Sequence, residues 1–155
     1  WALPPDVTIS SEPAAEPPGV LDSLQPDEAE LVDSHWDLRW PGSNVLLRNC
    51  ILERPSACLR IDGKPVCWAL ARADGTIGAL FTVKEHRGRG YALSVVRHIS
   101  AGLRTIGHPV YCDIIVGNAA SERFFTSLGF AVVPGPAGLV SWLKFGCVAE
   151  TTVLG

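Results

Sequence analysis

The chain has 155 residues, of which 47% are hydrophobic and 19% are charged, and its formal net charge is −3 at pH 7. This length and composition predict one folded domain with a hydrophobic core, and they exclude a disordered or fibrous protein. No apolar run reaches the ~20 residues that a membrane-spanning helix needs, and residues 1–10 lack the pattern of a signal peptide. The sequence contains no methionine, so we expect it to be part of a longer protein.

The charge is unevenly distributed along the chain. Residues 1–37 contain nine acidic residues and no Lys or Arg, whereas residues 38–155 contain seven acidic and thirteen basic residues, a formal charge of +6. A basic body of this kind favours an anionic ligand, but a solvated basic surface would give the same count. No aromatic and basic interleave or known nucleic-acid motif accompanies it, so we expect no nucleic-acid partner.

The cysteines are odd in number and form no CxxC pair. They are Cys50, Cys58, Cys67, Cys112 and Cys147. This spacing predicts buried free thiols of an intracellular protein, with neither a disulfide scaffold nor a metal site.

The first 23 residues differ in composition from the rest of the chain. They hold five prolines and few large apolar side chains, which predicts an acidic, extended linker or tail outside the core. We therefore expect a single domain over residues 24–155. Its first helix is predicted over 26–36, where Pro26 and a run of acids begin the helix. A second helix is predicted over 44–53, capped by Ser43 or Asn44.

Three strands are predicted next, over 57–61, 66–71 and 76–83, and the turn residues between them indicate an antiparallel meander. Trp68, on the middle strand, should be buried. A long helix follows with one apolar face, formed by Ala92, Val95, Val96, Ile99, Leu103 and Ile106. The remaining elements are predicted to be a strand over 109–116, a helix over 118–128 capped by Asn118, and strands over 130–133 and 139–145. This order predicts an α+β domain with a mixed sheet, in which β-α-β units follow the meander.

The segment EHRGRGYA, residues 85–92, lies between the third meander strand and the long helix. The first N–H groups of a helix have no partner within it, and the helix dipole adds partial positive charge there. Gly88 and Gly90 give a phosphate room to approach the backbone, and Arg87 and Arg89 add charge. The segment therefore predicts a phosphate-binding loop, although a plain basic helix start would also fit. It is neither a Walker A loop nor a GxGxxG motif.

The loop resembles R-G-x-G-[YFI]-[AG], the pyrophosphate loop of GNAT acyltransferases. NAASERFFTSLGF, residues 118–130, resembles a second segment of that superfamily. Within it the chain is similar to the C-terminal domain of glycine N-acyltransferase-like proteins, on the residues LVDSHW (31–36), PVCW (65–68), EHRGRG (85–90) and GHPVYCDIIVGN (107–118). The resemblance implies a GNAT fold in which acyl-CoA binds between two splayed parallel strands, 79–83 and 111–115.

By this resemblance the chain is a transferase, and acetyl-CoA or another acyl-CoA is its substrate, without a metal. The residues implied to bind acyl-CoA are Phe81, Thr82, Val83, Arg87, Gly88, Arg89, Gly90, Tyr91, Ala92, Asn118, Ser121, Phe124 and Phe125. The acceptor would be the amine of a small molecule, glycine or another amino acid, which attacks the thioester directly. We expect an intracellular monomer or homodimer with no membrane partner, in the cytoplasm or, as the resemblance admits, in mitochondria.

Two positions depart from the family pattern. Thr76 occupies the place of a glutamate proposed as general base, and Phe125 occupies the place of a tyrosine that acts as general acid. Neither side chain exchanges a proton at neutral pH, so Asp113 and Glu85 are the candidates for the general base. Thr76 is kept as a candidate catalytic residue because of its position alone. His86 and His108 are further titratable candidates, although both flank turns, which favours structural roles.

Two alternatives stay open. The departures at Thr76 and Phe125 favour an acyl-CoA-binding GNAT domain with weak or no catalysis. A peptide or protein N-acetyltransferase is the other, and it would need an acidic acceptor groove. A ping-pong reaction through Cys112 is a lesser possibility, since no His or Asp spacing supports it.

Overall fold

The computed structural model of the chain describes residues 1–9 and 17–133. Its contacts divide the chain into two compact units. We call Glu12–His108 the sheet unit, and Trp1–Ser11 together with Pro109–Gly155 the terminal unit. The strand predicted over 139–145 lies outside the described residues. Within the described ranges, no helix is both long enough and apolar enough to cross a membrane.

The described residues form six strands and four α-helices. The strands are β1 (Ala2–Leu3), β2 (Val20–Asp22), β3 (Ser56–Ile61), β4 (Lys64–Ala71), β5 (Ile77–Thr82) and β6 (Val110–Tyr111). The α-helices are α1 (Ala29–Ser34), α2 (Ser43–Glu53), α3 (Tyr91–Thr105) and α4 (Ala119–Ser127). Single 3₁₀ turns, Pro26–Glu28 and Lys84–His86, precede α1 and α3.

The sheet unit contains a four-stranded sheet in the order β2-β3-β4-β5, with every neighbouring pair antiparallel. This confirms the predicted meander, because β3, β4 and β5 follow one another in chain and in space. Trp68 pairs with Cys58 on one side and with Phe81 on the other. As predicted, Trp68 is fully buried. The mixed α and β content, with helices packed on this sheet, confirms the predicted fold class. Every strand pair among the described residues is antiparallel, so the parallel pairing expected of a mixed sheet stays a prediction.

The core of the sheet unit lies on both faces of β4. On one face Trp68 and Leu70 pack with Val32 of α1 and Leu47 of α2. Alternation along the strand directs Cys67 and Ala69 to the opposite face, where α3 contacts β3, β4 and β5. The buried face of α3 contains Val95, Val96, Ile99 and Leu103. Ile106, predicted to lie on this face, is 64% exposed because the helix ends one residue before it.

The prediction that residues 1–23 form a tail outside the core differs from the structure. β2 pairs with β3 at the edge of the sheet, and Leu3, in β1, is buried. The proline content wrongly predicted a tail outside the sheet. A strand of two or three residues can join a sheet with few apolar side chains, because a longer neighbouring strand provides its hydrogen bonds. The described parts of this stretch are therefore integrated into the fold.

Arg60 of β3 holds β2 against the sheet. Its Nε donates to Asp22 Oδ1 at 3.0 Å, and its guanidinium also bonds the Glu28 carboxylate at the start of the helical segment. Hydrogen bonding to Glu28 raises the pKa of Arg60. Burial alone would raise the pKa of Glu28, but hydrogen bonds from Arg60 and from the Gln25 N–H outweigh burial and hold that pKa below its ordinary value.

We expect Arg60→Met to lower the free energy of unfolding by about 2 kcal/mol at pH 7, because the carboxylates of Asp22 and Glu28 both lose Arg60 as a hydrogen-bond donor. The pKa of Glu28 is lower in the folded state, so its stabilising contribution is present above its ordinary pKa and is lost as the pH falls through the folded value. Urea titrations from pH 7 to pH 3 should therefore show a steeper loss of stability in the wild type than in the variant. Arg48→Met, at an exposed site on α2, is the control; an equal effect there would contradict this account.

The terminal unit contains a small antiparallel pair. Ala2 pairs with Tyr111 and Leu3 with Val110, and Ala2 forms a single bridge with Ala131. Among the described residues, the strand predicted over 109–116 is continuous over Val110–Tyr111 and has single bridge residues at Cys112 and Ile115, and the strand predicted over 130–133 is one bridge. The continuous part of this strand is as long as its described pairing with the two residues of β1. Phe125 is buried between Phe124 and Phe130, with ring centroids 5.2 and 5.0 Å away.

The connection between α1 and α2 is fixed by Ser43. The predicted cap of α2 by Ser43 or Asn44 is wrong, because the cap position is Gly42, at φ +95°, and Ser43 is the first helical residue. The Ser43 hydroxyl instead bonds the Asp33 carboxylate and accepts from the Trp40 N–H at 3.1 Å. Ser43 and Asp33 are both buried. These bonds tie the end of α1 to the start of α2.

Candidate functional site

The strand that leads into the predicted phosphate loop carries a bulge. Its pairing with β4 shifts between Trp68 and Leu70, so that β5 has one residue more than β4 over this interval. Ala79, within the bulge, has φ +50°, which is unusual for a residue other than glycine. Such backbone strain concentrates at functional sites, because the surrounding structure must hold it. The bulge therefore marks the stretch from Ala79 to Val83 independently of any motif.

The loop between β5 and α3 presents backbone N–H groups. Gly88 and Gly90 have φ of +73° and +78°, so these two positions need glycine for their conformation. Gly90 is the residue before α3. Within the described residues, no backbone N–H from Gly88 to Ala92 donates to a backbone carbonyl. This arrangement is the one by which helix starts bind phosphate.

The two arginines of the loop lie in different surroundings. Arg87 Nε donates to the Thr82 carbonyl at 2.9 Å, and its guanidinium lies 5.4 Å from the centre of the Phe81 ring. Arg89 is exposed and donates to the Glu85 carbonyl at 3.3 Å. Phe81, Thr82 and Arg87 are thus brought together at the end of β5. The cation–π contact and the hydrogen bond orient Arg87 while leaving its terminal nitrogens available for an anion.

Thr76 belongs to a local polar network at the start of β5. Its hydroxyl donates to Asp74 Oδ1 at 2.7 Å and accepts from Arg72 Nε at 2.9 Å. Burial would raise the pKa of Asp74, but hydrogen bonds from Thr76 and Arg72 outweigh burial and lower it. Glu85, in the 3₁₀ turn before α3, is exposed. The structure does not bring Thr76 and Glu85 together by any described contact.

The other predicted residues lie in the terminal unit. Asn118 caps α4, because its Oδ1 accepts from the Ser121 N–H at 3.1 Å, as predicted. Asn118 is exposed, and Asp113 and Phe124 are partly exposed. Cys112 is fully buried, and burial raises the pKa of its thiol to about 12. A protonated, inaccessible thiol is a poor nucleophile, which disfavours the ping-pong reaction.

The four described cysteines are buried free thiols, as predicted. Burial raises the pKa of Cys58 to about 12 and that of Cys67 to about 11. Cys67 lies opposite Thr82 in the sheet, with 3.1 Å between Sγ and Oγ1. These thiols contribute apolar packing to the sheet rather than chemistry.

His35 is a residue that the sequence reasoning missed. It follows α1 directly, and its ring packs on the two aromatic residues that face it from the sheet. Its centroid is 4.5 Å from that of Phe81 and 5.5 Å from that of Trp68. His35 lies in LVDSHW, a stretch that indicated only the family resemblance. Nothing in the sequence shows that the end of α1 lies over β5.

Comparison with known proteins agrees with this geometry. The family model of FR47-like proteins matches residues 58–134. Glycine N-acyltransferase from Homo sapiens is 28% identical over 130 residues, covering 83% of this chain and 42% of that protein. A glycine N-acyltransferase-like protein from Mus musculus is 32% identical over 124 residues, covering 79% of this chain and 41% of that protein. The chain thus spans about two fifths of the length of the curated relatives that it matches.

A solved structure shows the same fold at low identity. Arabidopsis thaliana Naa50, in complex with the bisubstrate analogue CoA-Ac-MVNAL, superposes with a TM-score of 0.62 at 13% identity. The match covers 83% of this chain and 94% of that one. The fold of the chain is thus one that GNAT acetyltransferases share, and its sequence is similar to glycine N-acyltransferases. These similarities to FR47-like proteins, to glycine N-acyltransferases and to the GNAT fold confirm the predicted resemblance.

Proposed function

We propose that this chain is an acyl-CoA-dependent N-acyltransferase that acts on the amine of a small molecule, glycine or another amino acid. The observation that carries the proposal is the loop from Arg87 to Ala92. From Gly88 onward it offers backbone N–H groups without backbone acceptors in the described part of the chain, next to the oriented guanidinium of Arg87. A CoA pyrophosphate is a ligand that such a loop suits.

The acyl group and the acceptor are supported by the relatives. Relatives that match over most of this chain include glycine N-acyltransferases and proteins like them. A GNAT structure of the same fold binds a CoA-linked analogue. The strained bulge at Ala79 lies two residues before Phe81, where the family resemblance implies the pantetheine arm. Asn118, Ser121, Phe124 and Phe125 remain proposed ligand contacts, and Asp113 and Glu85 remain proposed bases.

One observation favours a second candidate function, acyl-CoA binding with weak or no turnover. The Thr76 hydroxyl is occupied by Arg72 and Asp74, and Phe125 is a buried core residue. The two positions at which the family resemblance implies proton transfer therefore carry no titratable group. If nothing else takes over, acyl transfer would depend on positioning alone and would lose the factor of about 10²–10⁴ that a general base contributes.

A transfer assay separates the two candidates. The 155-residue chain is incubated with acetyl-CoA or benzoyl-CoA and with glycine, or with each other standard amino acid in turn. Free CoA thiol is followed by a thiol reagent and the acylated amino acid by mass spectrometry. We expect amide formation above the rate of the reaction without acceptor. Acyl-CoA binding without amide from any acceptor would contradict the proposal and favour the binding domain.

A further inference from the structure

His35 lies on the same face of the sheet as the aromatic residues of β4 and β5. Trp68 and Phe81 form a cross-strand pair with ring centroids 5.3 Å apart, and the His35 ring contacts both. Its plane is 76° from that of Trp68, an edge contact that fixes the ring orientation. The residue as a whole is nevertheless exposed. His35 is therefore an oriented, accessible imidazole beside the strand proposed to bind the acyl group.

Hydrogen bonds determine which ring nitrogen carries the proton. His35 Nδ1 is 3.0 Å from the Leu31 carbonyl oxygen, which can only accept, so this hydrogen bond forms in the tautomer that is protonated at Nδ1. The Ser34 hydroxyl donates to the same carbonyl at 2.7 Å, so its oxygen is also an acceptor toward Nδ1, at 3.0 Å. In this tautomer, which satisfies both the Leu31 carbonyl and the Ser34 hydroxyl, Nε2 has the free lone pair. This is the tautomer that a general base requires, and the Leu31 carbonyl would stabilise the imidazolium that forms.

We propose that His35 Nε2 is the general base that removes a proton from the acceptor amine. This assignment rests on the proposed function. It supplies the group that Thr76 cannot, because the Thr76 hydroxyl is bonded within its own turn. The location suits a base, since the ring lies 4.5 Å from Phe81, a residue of the strand that the bulge at Ala79 interrupts.

The proposed step begins when Nε2 takes one proton from the substrate ammonium group and leaves a neutral amine. The nitrogen lone pair forms the C–N bond to the thioester carbonyl carbon, and the carbonyl π pair moves to oxygen. When that pair returns, the C–S bond breaks and its electrons stay on sulfur. The second amine proton passes to the thiolate, directly or through water, which gives the amide and the CoA thiol. His35 then releases its proton to solvent.

Charged groups on the elements around His35 set the conditions for a pH test. They are Glu30 and Asp33 of α1, Lys64 of β4, and Arg87, which lies over the Phe81 ring. Asp33 is held by Ser43, and Glu30 accepts from the Asn44 side chain. None of these groups has a described hydrogen bond to the imidazole. A change in the pH profile on substitution of His35 would therefore report the imidazole itself.

The test uses His35→Phe, which keeps an aromatic ring on Trp68 and Phe81, and His35→Gln as a second variant. His98→Phe, at an exposed position on α3, is the matched control. For each we measure kcat/KM for benzoyl-CoA and glycine from pH 5 to pH 10, acetyl-CoA affinity by calorimetry, and thermal unfolding. We expect both His35 variants to lose a factor of about 10²–10⁴ in kcat/KM at pH 7, with acetyl-CoA affinity unchanged.

The shape of the pH profile gives a result that a structural role would not. In the wild type, kcat/KM should rise with pH and level off once His35 is neutral, because the reacting pair is ammonium and imidazole. Without the base only the free amine reacts, so the variants should keep rising until the acceptor amine itself is neutral. If His35→Phe kept the wild-type plateau, or kept near wild-type activity, His35 would not be the general base, while the proposed function would stand. Acyl-CoA binding without turnover in the wild type would overturn the proposed function as well.

Discussion

Trp68→Ala should lower the free energy of unfolding by about 3–5 kcal/mol, which is a large part of the stability of a domain of this size. Trp68 is fully buried on the central strand and contacts helices α1 and α2 as well as Phe81. Its removal leaves a cavity that the paired strands cannot close, because their hydrogen bonds fix the backbone. In thermal unfolding we expect the midpoint to fall by about 10–15 °C.

Two other tryptophan variants control this prediction. Trp40 is 47% exposed, so Trp40→Ala should change stability little. Trp68→Phe should lower the free energy of unfolding by only about 1–1.5 kcal/mol. The substitution breaks no hydrogen bond, because Trp68 Nε1 has no acceptor in the described ranges. Equal destabilisation by Trp40→Ala and Trp68→Ala would show that the sheet unit is not centred on β4.

The double variant Arg87→Ala, Arg89→Ala should weaken acetyl-CoA binding by about 30–150-fold, which corresponds to roughly 2–3 kcal/mol. Arg87 is oriented by Thr82 and Phe81 toward the loop, and Arg89 is exposed beside it. Both would donate charge-assisted hydrogen bonds to the pyrophosphate. Calorimetric titration of acetyl-CoA measures the difference, and the effect should shrink at high salt because exposed charges are screened.

The matched control removes the same charge elsewhere. Arg48 of α2 and Lys64 at the start of β4 are both exposed, and the double variant Arg48→Ala, Lys64→Ala should bind acetyl-CoA as the wild type does. Arg87→Lys with Arg89→Lys keeps the charge and should lie between the two. If the control loses as much affinity as the loop variant, general basicity rather than the loop attracts CoA.

The sequence predicted the parts of the fold that have a strong local signal. The meander was visible because turn residues separate three β-branched and apolar runs, and α3 was visible because its apolar face repeats at helical spacing. β1 and β2 were missed because strands of two and three residues carry no periodicity and depend on partners distant in the chain. In the described residues, the predicted strand over 109–116 is continuous only over Val110–Tyr111, because its pairing with β1 extends over two residues.

The candidate site divides in the same way. Gly88, Gly90 and Arg87 could be proposed from the sequence because a phosphate loop is a contiguous motif with a local physical cause, and their role in binding stays a prediction. Asn118 could be assigned as a cap for a similar reason. His35 could not be proposed from the sequence, because its proposed role depends on the contact between the end of α1 and Phe81, which joins residues 46 positions apart. The bulge at Ala79 likewise follows from pairing with β4 rather than from local composition.

Calorimetric titration of acetyl-CoA, dephospho-CoA and S-acetylpantetheine into the 155-residue chain tests the central claim most directly. Dephospho-CoA retains the pyrophosphate, whereas S-acetylpantetheine carries the acyl thioester but no phosphate. We predict micromolar binding of acetyl-CoA, similar binding of dephospho-CoA, and much weaker binding of S-acetylpantetheine. Equal affinity for acetyl-CoA and S-acetylpantetheine, or no binding of any of them to the folded chain, would contradict the assignment of the loop from Arg87 to Ala92 as a pyrophosphate site.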